Sequence, residues 1–94
     1  MDRESAEGVA IAALAFIASD PELLGRFLAI TGIEASAVRY AASEPGFLAG
    51  VLNFVLAHEP TLLKFAEQAD IPPQRAGEAL RALPSGYEQY ESSI

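Results

Sequence analysis

The residues able to do chemistry are few. His58 is the sole histidine and stands beside Glu59 in LAHEPTLLKF; an imidazole next to a carboxylate is the least that general acid–base work requires. No nucleophile motif, second histidine or metal-ligand spacing accompanies it. Position 58 is also expected where a central helix ends, which favours a cation through the helix dipole, so a structural role is the stronger reading. Asn53 interrupts the apolar run FLAGVLNFVLA. A buried amide is costly unless hydrogen-bonded, which suits either the polar contact of a small pocket or a bond that fixes helix register. Arg26 and Lys64 fall at nearly matching places in two similar segments and form a candidate pair of contacts for an anionic partner. The commoner alternative is that they are the solvated side of amphipathic helices, beside Glu22 and Glu67. Tyr87 and Tyr90, in the closing SGYEQYESSI, are candidate partner anchors.

Several kinds of chemistry are excluded. The chain has no cysteine, which removes disulfides, thiolate metal sites and thiol nucleophiles together. Its glycines form neither a GxxxxGK loop nor a GxGxxG turn after a strand, and its carboxylates lack calcium-loop spacing. No catalytic, cofactor-binding or metal-ligating residue is therefore expected, and no cofactor. Thirteen acids against six Lys and Arg give a net charge of −7; such a surface repels a phosphate backbone, so nucleic acid is not an expected partner, while a basic protein patch would be attracted. The most apolar run, GVAIAALAFIA, has eleven residues against the roughly 20 a spanning helix needs. The opening MDRESAE lacks the basic start of a secretory signal. No membrane span and a cytoplasmic location are expected.

The elements that must position these residues are helical. Ninety-four residues, 51% of them hydrophobic, make one folded domain. Segments 9–18 and 47–57 are apolar nearly all round, which predicts two central helices buried on several sides. Each is followed by an amphipathic segment. In the first, Leu23, Leu24, Phe27, Leu28 and Thr31 form the inward stripe; in the second, Leu62, Leu63, Phe65, Ala66 and Ala69 do so, with Thr61, Lys64, Glu67 and Gln68 facing water. Asp20-Pro21, Glu44-Pro45 and Glu59-Pro60 predict three helix starts, each with proline at the first helical position and an acid before it. Gly32 followed by Ile33 predicts a left-handed helix stop.

Short helices over 35–42 and 73–83 complete the pattern. The predicted fold is all-α: a compact bundle of five to six short helices, arranged as two pseudo-repeated three-helix units packed through helices one and four. Setting 9–25 against 48–64, thirty-nine positions apart, matches Ala10, Ala18, Pro21, Leu23 and Leu24 identically. Residues 1–5 are expected to be a flexible N-terminus, 6–84 the single helical domain and 85–94 a disordered polar tail.

The stretches AALAFIASDPELLGRFLAITGI, EPGFLAGVLNFVLAHEPTLLKFAE and RALP together resemble a family of short bacterial proteins, domain of unknown function 3572, over residues 6–84. LGRFL at the first junction and PGFLAGVL carry most of the resemblance. Ser19 and His58 stand where a second acid is expected at the junctions, so neither position supports a shared acidic site. The resemblance implies a small cytosolic α-helical protein and brings no activity, cofactor or catalytic residue with it.

Two nearly all-apolar helices in so small a domain leave apolar surface that the remaining helices do not cover. The expected function is a non-catalytic, acidic interaction module that binds another protein or itself, as a homodimer. The alternative is a carrier of a small apolar ligand in an inter-helix pocket, with Asn53 as its polar contact. An enzyme using His58 ranks third.

Overall fold

Each helix boundary has a visible local cause in the computed structural model, which describes residues 1–44 and 46–84. Helix α1 (Arg3–Ala18) opens ahead of the domain start expected at residue 6, because the Asp2 carboxylate accepts the Ser5 N–H at 2.9 Å. Hydrogen bonding to Ser5 holds the Asp2 carboxyl below its ordinary range. At the far end the Ser19 hydroxyl donates to the Phe16 carbonyl at 2.7 Å. Asp20 then takes an extended backbone, its Oδ1 accepting the N–H groups of Glu22 at 3.0 Å and Leu23 at 3.3 Å, and α2 (Pro21–Thr31) starts with proline as predicted. Between α1 and α2 the chain turns through 113°. Gly32, at φ 75°, stops α2 and returns its N–H to the Leu28 carbonyl. That left-handed angle suits a residue without Cβ.

Residues 35–41 form only a 3₁₀ turn (Ala35–Ala37) running into a single turn of helix, α3 (Val38–Ala41), with no buried residue in either. Helix α4 (Phe47–Leu56) follows Gly46, which has φ 88°; Pro45, the expected start, lies outside the described residues. Helix α5 (Glu59–Ala69) corrects the reading of Glu59-Pro60. His58 has the extended cap backbone and Glu59 is already helical, so Pro60 is the second helical residue instead of the first. Asp70, at φ 57°, ends α5, and the Ile71 N–H reaches back to the Ala66 carbonyl at 3.0 Å, the six-to-one bond of a Schellman stop. Helix α6 (Gln74–Ala82) comes last. No strand occurs among the described residues, and no single described helix is long and apolar enough to cross a membrane.

Helices α1 and α4 form the centre as expected. α1 packs against α2, α4, α5 and α6, and α4 against α1, α5 and α6. The most extensive backbone packing is between α1 and α6. There α1 buries Ala6, Ala10 and Ala13, and α6 buries only Ala76 and Ala79, so the short side chains let the two axes come together. Burial is on several sides and not on all: Ile11, Ala12, Ala15 and Ala18 of α1 and Asn53 of α4 are exposed. The molecule is 20 Å across its thinnest dimension, about two helix diameters, and among the described residues no third layer covers the outer faces.

The inward stripe of α5 is corrected as well. Thr61 is buried, 5% exposed, while Leu63 is 49% exposed. With the cap at His58, Thr61 and Phe65 take the places in α5 that Leu23 and Phe27 take in α2. Equivalent residues thus stand thirty-eight apart in the structure, not thirty-nine, and the same offset pairs the left-handed stops Gly32 and Asp70 and the apolar residues after them, Ile33 and Ile71. It also relates the aromatic contacts. Phe16 meets Phe65 at 5.6 Å between ring centroids, and Phe54 meets Phe27 at 5.4 Å. Shifting the first pair by this offset, forward for Phe16 and back for Phe65, generates the second. The α1–α2 corner and the α4–α5 corner are therefore related by an approximate twofold. The third helices depart from it, since α6 buries alanines against α1 and α4 and α3 buries nothing. The two ends of the described helical body meet, with Arg3 and Glu7 lining one cleft with Leu83 and Pro84.

Two substitutions check this packing by thermal or denaturant melting. Phe27→Ala removes a ring, 1% exposed, that contacts both Phe47 and Phe54, and is expected to cost about 3–5 kcal/mol. Asp70→Gly installs the residue that the first corner uses at the same place; it relieves a left-handed conformation and removes an acid from a helix C-terminus, with an expected gain of about 1 kcal/mol.

Candidate functional site

Where the two corners meet on the approximate twofold, the first turns of α2 and α5 line a cavity of about 170 Å³ that is open to solvent. α2 contributes Asp20, Glu22, Leu23 and Arg26; α5 contributes, at the equivalent positions, His58, Pro60, Thr61 and Lys64. The structure thus brings Arg26 and Lys64 to one site, from opposite halves. Neither has an ion-pair partner among the described residues, where the pairs are Arg3–Glu7 and Arg75–Glu78.

His58 lies where α4 ends, as expected, its N–H donating to the Val55 carbonyl at 3.4 Å, and it is at the same time the extended cap residue of α5. Its Nδ1 lies 2.7 Å from the Thr61 hydroxyl oxygen. Thr61 is buried and its hydroxyl has no other partner among the described residues. The arrangement that satisfies both groups has the Thr61 O–H donating to Nδ1, which places the ring proton on Nε2. Glu59 is exposed and makes no bond to His58, so the acid–base pair read from their adjacency is not assembled. Asp20, at the position equivalent to His58, spends one carboxylate oxygen on two α2 amides.

A second feature is an apolar groove of about 360 Å³ between α1 and α5, walled by Ala12, Ala15, Phe16, Phe65 and Ala69, with Ser19 and Gln68 the polar residues among the described ones that line it. Ile11, 57% exposed, lies beside it on α1. Asn53 is exposed; its amide is hydrated, and the burial cost that marked it in the sequence does not arise. Tyr87 and Tyr90 lie outside the described residues. No group of three or more His, Asp or Glu side chains converges as a metal site among the described residues.

Sequence reasoning missed Thr61 and the outer face of α1. The signal for Thr61 was its place three residues after an extended cap, where α2 carries Leu23. For Ile11 there was none, because every face of α1 from Val9 onward is apolar.

The fold and these sites define a small all-α protein built from a repeated helix corner. The chain belongs to the family described as Protein of unknown function (DUF3572), which it matches over residues 3–86. No curated protein and no solved structure matches it.

His58→Ala would leave the buried Thr61 hydroxyl without an acceptor and is expected to cost about 1–3 kcal/mol. In a double-mutant cycle with Thr61→Val, the expected coupling is at least 0.5 kcal/mol; additive losses would show that the 2.7 Å contact contributes nothing to stability.

Proposed function

We propose that this protein is a non-catalytic interaction module that works in the cytoplasm, and that its docking face is the outer side of α1. The carrying observation is the uncovered apolar surface of a central helix: Ile11, Ala12, Ala15 and Ala18 are exposed and run into the groove walled by Phe16, Phe65 and Ala69. A monomeric domain normally hides such a surface unless something binds there. The small residues on α1 let a partner's backbone approach closely, and the groove has the form that receives an apolar helix face from another protein or from a second copy of this chain. The net charge of −7 favours a partner with a basic rim around its apolar contact.

The carrier alternative has less support. The groove opens to solvent along one side instead of closing over a ligand, and Asn53 is not among its lining residues. Enzymatic use of His58 has the least, since the ring is bonded to Thr61 and not to a carboxylate.

Light scattering at micromolar concentration and affinity capture under native conditions, run on the natural chain and on Ile11→Glu and Ala15→Glu, provide the test. Both substitutions lie on an exposed face and are expected to change stability by no more than about 0.5 kcal/mol. The expected result is self-association or a retained partner that both variants lose. A monomer that retains no partner, or a complex that both variants keep, would overturn the reading.

A further inference from the structure

We propose that the cavity between the first turns of α2 and α5 is a binding site for a small oxyanion, a phosphate or carboxylate group, held by Arg26 and Lys64 with the His58 ring as a third donor. This inference rests on different residues from the α1 docking face and stands independently of it. The whole chain has six Lys and Arg and one histidine against thirteen acids. Two of those cations and the histidine line this one cavity of about 170 Å³.

The approximate twofold shows how the α5 half became free of acid. Asp20 and Glu22 face the cavity from α2, but their equivalents in α5 are His58 and Pro60, and Glu59 is not among the lining residues. On the α2 side, one oxygen of Asp20 already accepts two backbone amides at 3.0 and 3.3 Å. Glu22 precedes Arg26 by four residues, the spacing and order that suit a helical ion pair, yet the two are not paired. The guanidinium is left without a carboxylate partner among the described residues.

Beside the Asp20 and Glu22 carboxylates the cavity is lined by three donors. Arg26 and Lys64 can only donate, and with Thr61 donating to Nδ1 the His58 ring presents an N–H at Nε2. A ligand made of acceptors satisfies all three, and charge-assisted bonds to an oxyanion are the strong class of such contacts. The cavity, about 170 Å³ and open to solvent, has room for one phosphate or carboxylate group, with the remainder of any larger ligand lying outside it. The nearby Asp20 and Glu22 weaken binding of a free ion and favour a group whose geometry engages the donors directly.

The test is thermal melting of the full chain in sodium phosphate, in sodium acetate and in sodium chloride at matched ionic strength, with the single histidine ring followed by NMR through the same titrations. Expected are a rise in Tm above the chloride value and a saturable shift of the His58 resonance; whichever of phosphate or acetate is the more effective names the class of ligand. Arg26→Gln/Lys64→Gln should weaken the apparent affinity at least tenfold, and Glu22→Gln should strengthen it. Absence of any effect beyond chloride in the natural chain would overturn the proposal. So would an undiminished effect in the double variant, which would place the ion elsewhere. Should the double variant fail to fold, the natural chain's histidine shift and the sign of the Glu22→Gln effect decide the matter.

Discussion

Each half of this protein is completed by an aromatic ring that belongs to the other. Phe16 of the first corner lies on Phe65 of the second, and Phe54 of the second lies on Phe27 of the first. Such pairs contribute about 0.5–1.5 kcal/mol beyond the area they bury. Their larger effect is geometric, because two contacts related by a twofold fix both the distance and the rotation between corners. A lone corner of some thirty residues has too little core to hold its 113° bend. The exchange of rings supplies that core and brings the starts of α2 and α5 side by side. The axial cavity follows from the interlock; no loop was needed to build it.

Much of the architecture was legible in the letters. Asp20-Pro21 read correctly as a helix start because proline at the first helical position and a carboxylate that accepts free amides are local devices. Gly32 with Ile33 read correctly as a stop for the same reason. The register of the second corner was not legible. The Leu-Leu pairs align thirty-nine apart, but the structure caps α5 with His58, a residue with no strong claim to that role, and the packing follows an offset of thirty-eight. Thr61 then turns inward and Leu63 outward, against their polarity. The hydroxyl of Thr61 is accommodated because it donates a hydrogen bond to the imidazole beside it. The bare side of α1 was illegible for a different reason: alanine and isoleucine suit a core and an uncovered face equally, and only the two-layer thickness of the fold decides between them.

Departures from symmetry give the repeated corner its direction. Arg26 and Lys64 keep the same charge at equivalent positions, whereas Asp20 and Glu22 face His58 and Pro60 across the axis. An exact duplicate would surround the cavity with four acids and two cations. The actual chain halves the acids, keeps the cations and adds an imidazole, within a molecule that is otherwise strongly acidic. The third helices diverge further. α6 lays its alanines against α1 and seals that side of the core, while the turn at α3 packs only Ala41 against the core, and among the described residues the outer side of α1 stays bare.

The cleft shared by Arg3, Glu7, Leu83 and Pro84 has a consequence for how the chain is strung. Because the start of α1 and the end of α6 come home to the same place, and each corner supplies the ring the other lacks, the packing does not depend on which corner comes first in the chain. Joined there and cut open between α3 and α4, a circularly permuted chain would meet the same neighbours in the reverse order.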